Sequence, residues 1–236
     1  MSTETKEPSI RAKKPKKPFN ANKPGKHSSH PLSDQERDIR ISKALSYLLR
    51  HGAIKEKLNI DEYGYIGINE VLAHNRLKTY GATFEDIRRI VDDNDKQRFH
   101  IENEKICANQ GHSIKVNEDG MELLTIENMP EEIYHGTYRK KLGLIINSGG
   151  LNKMTRNHIH FTSNCNDSVS GIRKSANILI YIDILKCLDD GIIFYKSKNN
   201  VILSPGNDQG YIDVKYFKKI IDLKTDNEID IKTIHE

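Results

Sequence analysis

The 236-residue chain has no tryptophan, only three cysteines, and no apolar run near the roughly 20 residues that a membrane span requires. Its N-terminus carries no apolar core of a secretory signal. Cys107, Cys165 and Cys187 are odd in number, far apart and free of any C-x-x-C spacing. A disulfide framework and a cysteine-based zinc site are therefore unsupported, and three reduced thiols in the cytoplasm and/or nucleus are expected. Proline is scarce outside one region: five of seven (Pro8, Pro15, Pro18, Pro24, Pro31) precede residue 32. Acidic charge is scarce there too, with eight Lys/Arg against two Glu over residues 1–31, a net of +6. The whole chain is +4, so residues 32–236 carry −2.

Residues 1–32 therefore read as a disordered basic tail, too polar to offset its ordering entropy. Lys13, Lys14, Lys16 and Lys17 suit attraction to a phosphate backbone, a nuclear address, or plain solubility. Ser33 to Glu36 forms a capping box, and Ile41, Ala44, Leu45, Leu48 and Leu49 then recur on one helical face. That helix should end at about Arg50–His51, near Gly52. A short helix at Ile68–Leu72 and a third opening at Thr83 follow. Arg98–Glu102 and Lys105–Ala108 read as a hairpin around Asn103-Glu104. Three helices and a two-stranded ribbon give a winged-helix-like pattern for residues 33–117.

After about residue 117 strands predominate. Met121–Ile126, Ile133–Tyr134, Ile159–Thr162 and Ile178–Ile184 read as strands, and Ile192–Tyr195 with Val201–Leu203 as a hairpin around Asn199-Asn200. Arg139–Ser148 reads as a helix stopped by Gly149-Gly150. The fold class is α+β, with a second domain over 118–223 and an uninformative extension over 224–236.

Candidate chemistry is scattered. Arg50 complements a helix dipole, His51 serves as a helix cap, and Arg98 passes for an exposed charge on a strand. Asn109, Gln110, His112 and Ser113 crowd polar side chains around Gly111, more than an ordinary turn needs. Tyr134-His-Gly-Thr137 follows a strand, and Gly136 permits close approach of a flat ligand. In Arg156-Asn-His-Ile-His-Phe-Thr-Ser163, alternation puts His158, His160 and Thr162 on one face. Two histidines at that spacing suit zinc, but no third ligand fits, and no metal is expected.

These blocks, LSYLLRH at Leu45–His51, Asp95-Lys-Gln-Arg-Phe99, Asn109-Gln-Gly-His-Ser113, Tyr134-His-Gly-Thr137 and Arg156 with His158–Phe161, resemble the tRNA 2′-phosphotransferases, in order, from about residue 39 to 212. The resemblance implies a winged-helix-like lobe followed by an ADP-ribosyltransferase-like lobe. It implies a cleft that takes NAD as co-substrate and a 2′-phosphorylated tRNA. In that reaction the 2′-phosphate displaces nicotinamide from NAD, and the ribose 2″-hydroxyl then attacks the phosphate. The products are tRNA with a free 2′-hydroxyl, ADP-ribose 1″,2″-cyclic phosphate and nicotinamide, closing tRNA splicing. The family's Arg-His-Arg-Arg set maps onto Arg50, His51, Arg98 and Arg156. NAD contacts map onto His135, Gly136, Thr137 and His160, flanked by Thr162 and Ser163. Asn109, Gln110, His112 and Ser113 fall near the cleft or hold the lobes together. The chain departs from bacterial members at Cys107, where they carry Arg, and at Gly52-Ala53-Ile54, where they carry Pro. A monomer is expected.

Two other readings compete. Many protein-modifying ADP-ribosyltransferases need a glutamate to activate the acceptor, and no Glu occurs between residues 133 and 227. A non-catalytic RNA-binding module leaves the Tyr134–Thr137 and His158–Ser163 blocks unexplained. A Rossmann dehydrogenase is disfavoured because no G-x-G-x-x-G opens a helix.

Overall fold

Ser33 opens the first helix as its capping box predicts. Its hydroxyl accepts from the Glu36 N–H, and the Glu36 carboxylate accepts from the Ser33 N–H. The computed structural model describes residues 32–163 and 175–235. The basic tail with its lysine run, and Cys165, lie outside the described residues.

Helix α1 (Asp34–Tyr47) buries Ile41, Ala44 and Leu45 and runs into a single π-helical turn, Leu48–Gly52. Helices α2 (Ile68–Ala73), α3 (Asn75–Lys78) and α4 (Phe84–Asp92) follow. Thr83 caps α4 with its own capping box to Asp86. The same carboxylate takes Arg37 at 2.6 Å and Arg89 at 2.9 Å, locking α4 to α1 and holding the Asp86 pKa far below the usual carboxylate range. Strands β1 (Ile66–Gly67), β2 (Phe99–Glu102) and β3 (Lys105–Ala108) form an antiparallel sheet in the order β1-β3-β2. Asn103 and Glu104 both take positive φ (48° and 58°), the backbone a two-residue hairpin requires. Helices and sheet enclose one hydrophobic cluster, with Ile41, Leu45, Leu49, Ile68, Ile87 and Phe99 in it.

The remaining strands are β4 (Glu122–Leu124), β5 (Ile133–Thr137), β6 (Gly150–Asn152), β7 (Ile159–Phe161), β8 (Ile178–Ile182), β9 (Phe194–Lys196), β10 (Ile202–Ser204), β11 (Tyr211–Asp213), β12 (Phe217–Asp222) and β13 (Asn227–Glu228). They form two four-stranded antiparallel sheets, β4-β9-β10-β7 and β13-β12-β8-β5, plus the pair β11-β6. Helix α5 (Arg139–Asn147) and helix α6 (Ile184–Asp189) accompany them. A second cluster, including Ile133, Leu142, Phe161, Ile180, Phe194 and Ile220, fills the space between. The class is α+β, and no helix of the described residues is long and apolar enough to cross a membrane.

Several expectations need correction. Tyr134–Thr137 does not follow a strand but lies within β5, paired with β8 from Tyr181 to Ile178. The expected strand Ile178–Ile184 stops at Ile182, because Asp183 turns to cap α6 by accepting from the Lys186 N–H. The expected strand Met121–Ile126 shrinks to three residues. The final stretch, blank in the sequence, adds β13 and a 3-10 turn, Ile231–His235. Gly149 and Gly150 do end α5, with φ of 97° and 149°. A Cβ at Gly150 would collide with the Ile212 carbonyl, so glycine there permits the β6–β11 pairing. Cys107 and Cys187 are buried free thiols.

Several hydrogen bonds cross between the halves. Asn157 donates its N–H to the His112 carbonyl and its side-chain amide to the Ile114 carbonyl, each at 2.9 Å. Asn199, in the β9–β10 turn, donates to the Lys96 carbonyl at 3.1 Å.

Candidate active site

Arg50 and His51 lie in the π turn that ends α1, a widened turn of the kind often found at functional sites. Gly52 makes room for it. A Cβ there would sit 2.5 Å from the Tyr47 ring, which is held by Arg76 stacked 4.1 Å above it and by its hydroxyl bond to Glu56. Ser113 grips the turn from the other side. Its N–H donates to the Arg50 carbonyl at 2.9 Å, and its hydroxyl lies 2.9 Å from His51 Nδ1.

Arg50 is the electrostatic centre. Its Nε and Nη2 are buried without a hydrogen-bond partner among the described residues. Burial, then the charges of Arg156 and Arg98, lower its pKa to about 10, and no carboxylate of the described residues offsets them. An uncompensated buried cation is costly, so this arrangement favours an incoming anion. Arg98, just before β2, is held by Asn94, whose Oδ1 accepts from Nη1 at 3.0 Å. Its pKa is lowered by burial, with Asp95 opposing. Arg156 is exposed on the turn between β6 and β7. Its charge reaches Arg50, His51 and His160, depressing protonation at all three. The structure thus couples Arg50, His51, Arg98 and Arg156 into one electropositive cluster.

Gly111 joins this cluster to β7. With φ of 86°, it faces Arg50 Nη1 and His160 Nε2, each 3.6 Å from where its Cβ would stand. His160 Nε2 is buried with no partner among the described residues, and burial followed by the Arg156 charge pushes its pKa down to about 3. The imidazole is neutral at any ordinary pH. His135 on β5 places Nδ1 2.9 Å from the His160 carbonyl, which can only accept, so His135 carries a proton on Nδ1. Thr162 is fully buried. Its backbone exchanges two bonds with Tyr134, joining β5 to β7, while its hydroxyl finds no partner among the described residues. Gly136 is half-buried in β5, Thr137 is buried there, and Ser163 ends the described segment after β7.

The expected single face of His158, His160 and Thr162 has three different surroundings. His158 is buried with Nε2 2.8 Å from Glu118 Oε1, close but out of hydrogen-bond alignment, and its ring meets Tyr195 edge-on. The Asn109–Ser113 block divides too. Gly111 and Ser113 face the arginine cluster, and Gln110 is buried. Asn109 turns to the Gln97 carbonyl, while His112 places its Nε2 beside Gly64. Asn94, Tyr47 and Asn157 were not anticipated. Only the adjacency of Asn157 to Arg156 hinted at any of them.

The fold and this cluster define an α+β protein with an anion-seeking site of guanidiniums and imidazoles drawn from both halves. The model of the RNA 2'-phosphotransferase, Tpt1 / KptA family matches residues 36–206, and the chain belongs to that family. It is 42% identical over 223 residues to the tRNA 2'-phosphotransferase of Saccharomyces cerevisiae, spanning 87% of this chain and 95% of that protein. It is 39% identical over 205 residues to tRNA 2'-phosphotransferase 1 of Danio rerio, at 81% and 89% coverage. For tRNA 2'-phosphotransferase 1 of Homo sapiens the values are 38% over 201 residues, at 81% and 78%.

Proposed function

We propose that this protein removes the 2′-phosphate of tRNA by transferring it to NAD, leaving a free 2′-hydroxyl, ADP-ribose 1″,2″-cyclic phosphate and nicotinamide. Residues 33–117 act as a winged-helix-like lobe and residues 118–223 as an ADP-ribosyltransferase-like lobe. The observation that carries this reading is the Arg50 guanidinium beside Arg98 and Arg156, its Nε and Nη2 buried with no hydrogen-bond partner among the described residues. A phosphate monoester, bearing about two negative charges at neutral pH, answers that deficit.

The residues present also fit a co-substrate such as NAD. His160 Nε2 and Thr162 Oγ1 are buried polar atoms with no hydrogen-bond partner among the described residues, and a ribose or amide of the co-substrate would supply one. When bound, NAD supplies a ribose carbon with a good leaving group. The chain's own residues then position the reactants. Arg50, Arg98 and Arg156 orient the phosphate and hold its charge through both steps. The first step needs no strong base, since the nucleophile is already ionised. His51, fixed by Ser113 and neutral above its depressed pKa, stands ready to move a proton as the RNA 2′-oxygen is expelled.

The test is an oligonucleotide carrying one internal 2′-phosphate, incubated with the protein with and without NAD. Loss of the phosphate only with NAD, together with release of nicotinamide, is the expected result. Retention of the phosphate in a shifted complex would mark a binding module instead.

A further inference from the structure

The Asn109–Ser113 segment has a second side that the proposed reaction does not use. A pocket of about 300 Å³ opens there, lined by Tyr63, Tyr65, Val116 and Met121 together with Asn109 and His112. Two of its lining residues carry a buried polar atom with no hydrogen-bond partner among the described residues: Asn109 Oδ1 and His112 Nε2. The Asn109 amide cannot be reversed, because its NH2 donates to the Gln97 carbonyl at 2.5 Å. It therefore presents an acceptor. His112 is only 5% exposed, and its Nε2 points to the Gly64–Val116 wall, 3.3 Å from where a Gly64 Cβ would stand. Among the described residues Lys198 is the only cation lining the pocket; it donates to the Tyr65 hydroxyl at 3.3 Å, and that hydroxyl donates to the Glu102 carboxylate, also in the lining, at 3.1 Å. An anion finds little here, whereas a flat neutral molecule with an N–H on its edge finds an aromatic wall and polar atoms to meet.

We propose that this pocket is a nucleobase-binding site, in which a base lies against Tyr63 and Tyr65 and donates an edge N–H to Asn109 Oδ1. The inference rests on the reading of the protein as an enzyme acting on RNA. The base is then carried by a nucleotide near the 2′-phosphate. His112 joins the two sites: it lines the pocket, and the neighbouring Ser113 holds His51.

The absence of tryptophan makes a clean reporter possible. Tyr63→Trp keeps an aromatic ring at the rim, where Tyr63 is 48% exposed. Titration of the full-length variant with adenosine, cytidine, guanosine and uridine should give saturable quenching by at least one of them. Adding Asn109→Leu should abolish it. In the wild-type protein, a 2′-phosphorylated oligonucleotide made abasic at one neighbouring position should show a KM raised about fivefold or more, with kcat kept. Quenching together with the KM effect identifies the RNA strand as the source of the base. Quenching without it supports the same pocket filled by a free nucleoside or nucleotide. Quenching that survives Asn109→Leu, or neither quenching nor a KM effect, overturns the proposal. If the protein removes no 2′-phosphate, the activity reading fails while the fluorescence arm still decides the pocket.

Discussion

Ser113 and His51 lie 62 residues apart in sequence, yet the serine hydroxyl rests 2.9 Å from the imidazole Nδ1 while its N–H holds the preceding residue's carbonyl. One residue thus fixes both the turn and the ring. Ser113→Ala should leave the melting temperature nearly unchanged, because the backbone bond survives. It should lower kcat about three- to tenfold, the worth of one such bond, with KM little changed. Ser113→Thr should restore most of the rate. Equal loss in Ala and Thr variants would show that the hydroxyl is not what orients His51.

Arg50 carries a prediction of opposite signs. Replacing an uncompensated buried charge by a hydrophobic side chain of similar reach is commonly neutral or stabilising. Arg50→Met should therefore melt at the same temperature as wild type or higher. Its turnover of a 2′-phosphorylated oligonucleotide should fall by about 10²-fold or more. Arg98→Ala and Arg156→Ala should fold normally and lose turnover on the same scale. Wild-type rates in any of the three would remove that residue from the cluster.

Gly111→Ala tests the gap between Arg50 and His160. The added Cβ meets both at ordinary contact distance, so the cost to stability comes from φ of 86°. About 1–2 kcal/mol is expected. Activity should fall further than stability explains, because the methyl fills the space between two side chains of the site. A destabilised variant with a normal rate at low temperature would count against that placement.

Acid should loosen the fold before carboxylates titrate. Burial pushes His112 down to about 4 and His160 to about 3, against about 6.5 in the unfolded chain. Both are folded as neutral rings, so the unfolded state binds more protons below pH 6.5. Stability from these groups is complete above about pH 6.5 and is lost as pH falls toward 4 and 3. Denaturant midpoints should decline steadily from pH 6.5 to 4.5, and His112→Gln should flatten the slope. A level wild-type profile across that window would contradict the buried neutral rings.

What the sequence made legible was local. The α1 and α4 starts depend on a hydroxyl and a carboxylate three residues apart, and the β2–β3 hairpin on two residues between alternating strands. Strands β1 and β13 have two residues each and β6 and β11 three, too short to carry a period; long-range pairing alone makes them. Helix α6 hides because its isoleucine continues a β-branched run, and only the Asp183 cap breaks it. The strand expected at Ile133–Tyr134 runs on through His135, Gly136 and Thr137, because pairing with β8 overrides the poor strand propensity of glycine. At the site, motif order pointed to Arg50, His51, Arg98 and Arg156, whereas their convergence depends on the π turn and on Asn94 and Asn157. Nor did spacing reveal that Asn109 and His112 face away from Ser113.

The Asn157 clasp has a consequence for how this chain tolerates change in length. Its main chain and amide hold residues 112 and 114, while its neighbour Arg156 carries a charge that Arg50 and His51 feel. Adding or deleting a residue between 111 and 116 would shear the two halves by one step and carry Arg156 away from Arg50 and Arg98. The same insertion in the exposed turn around Lys224–Asp226 would leave that alignment untouched.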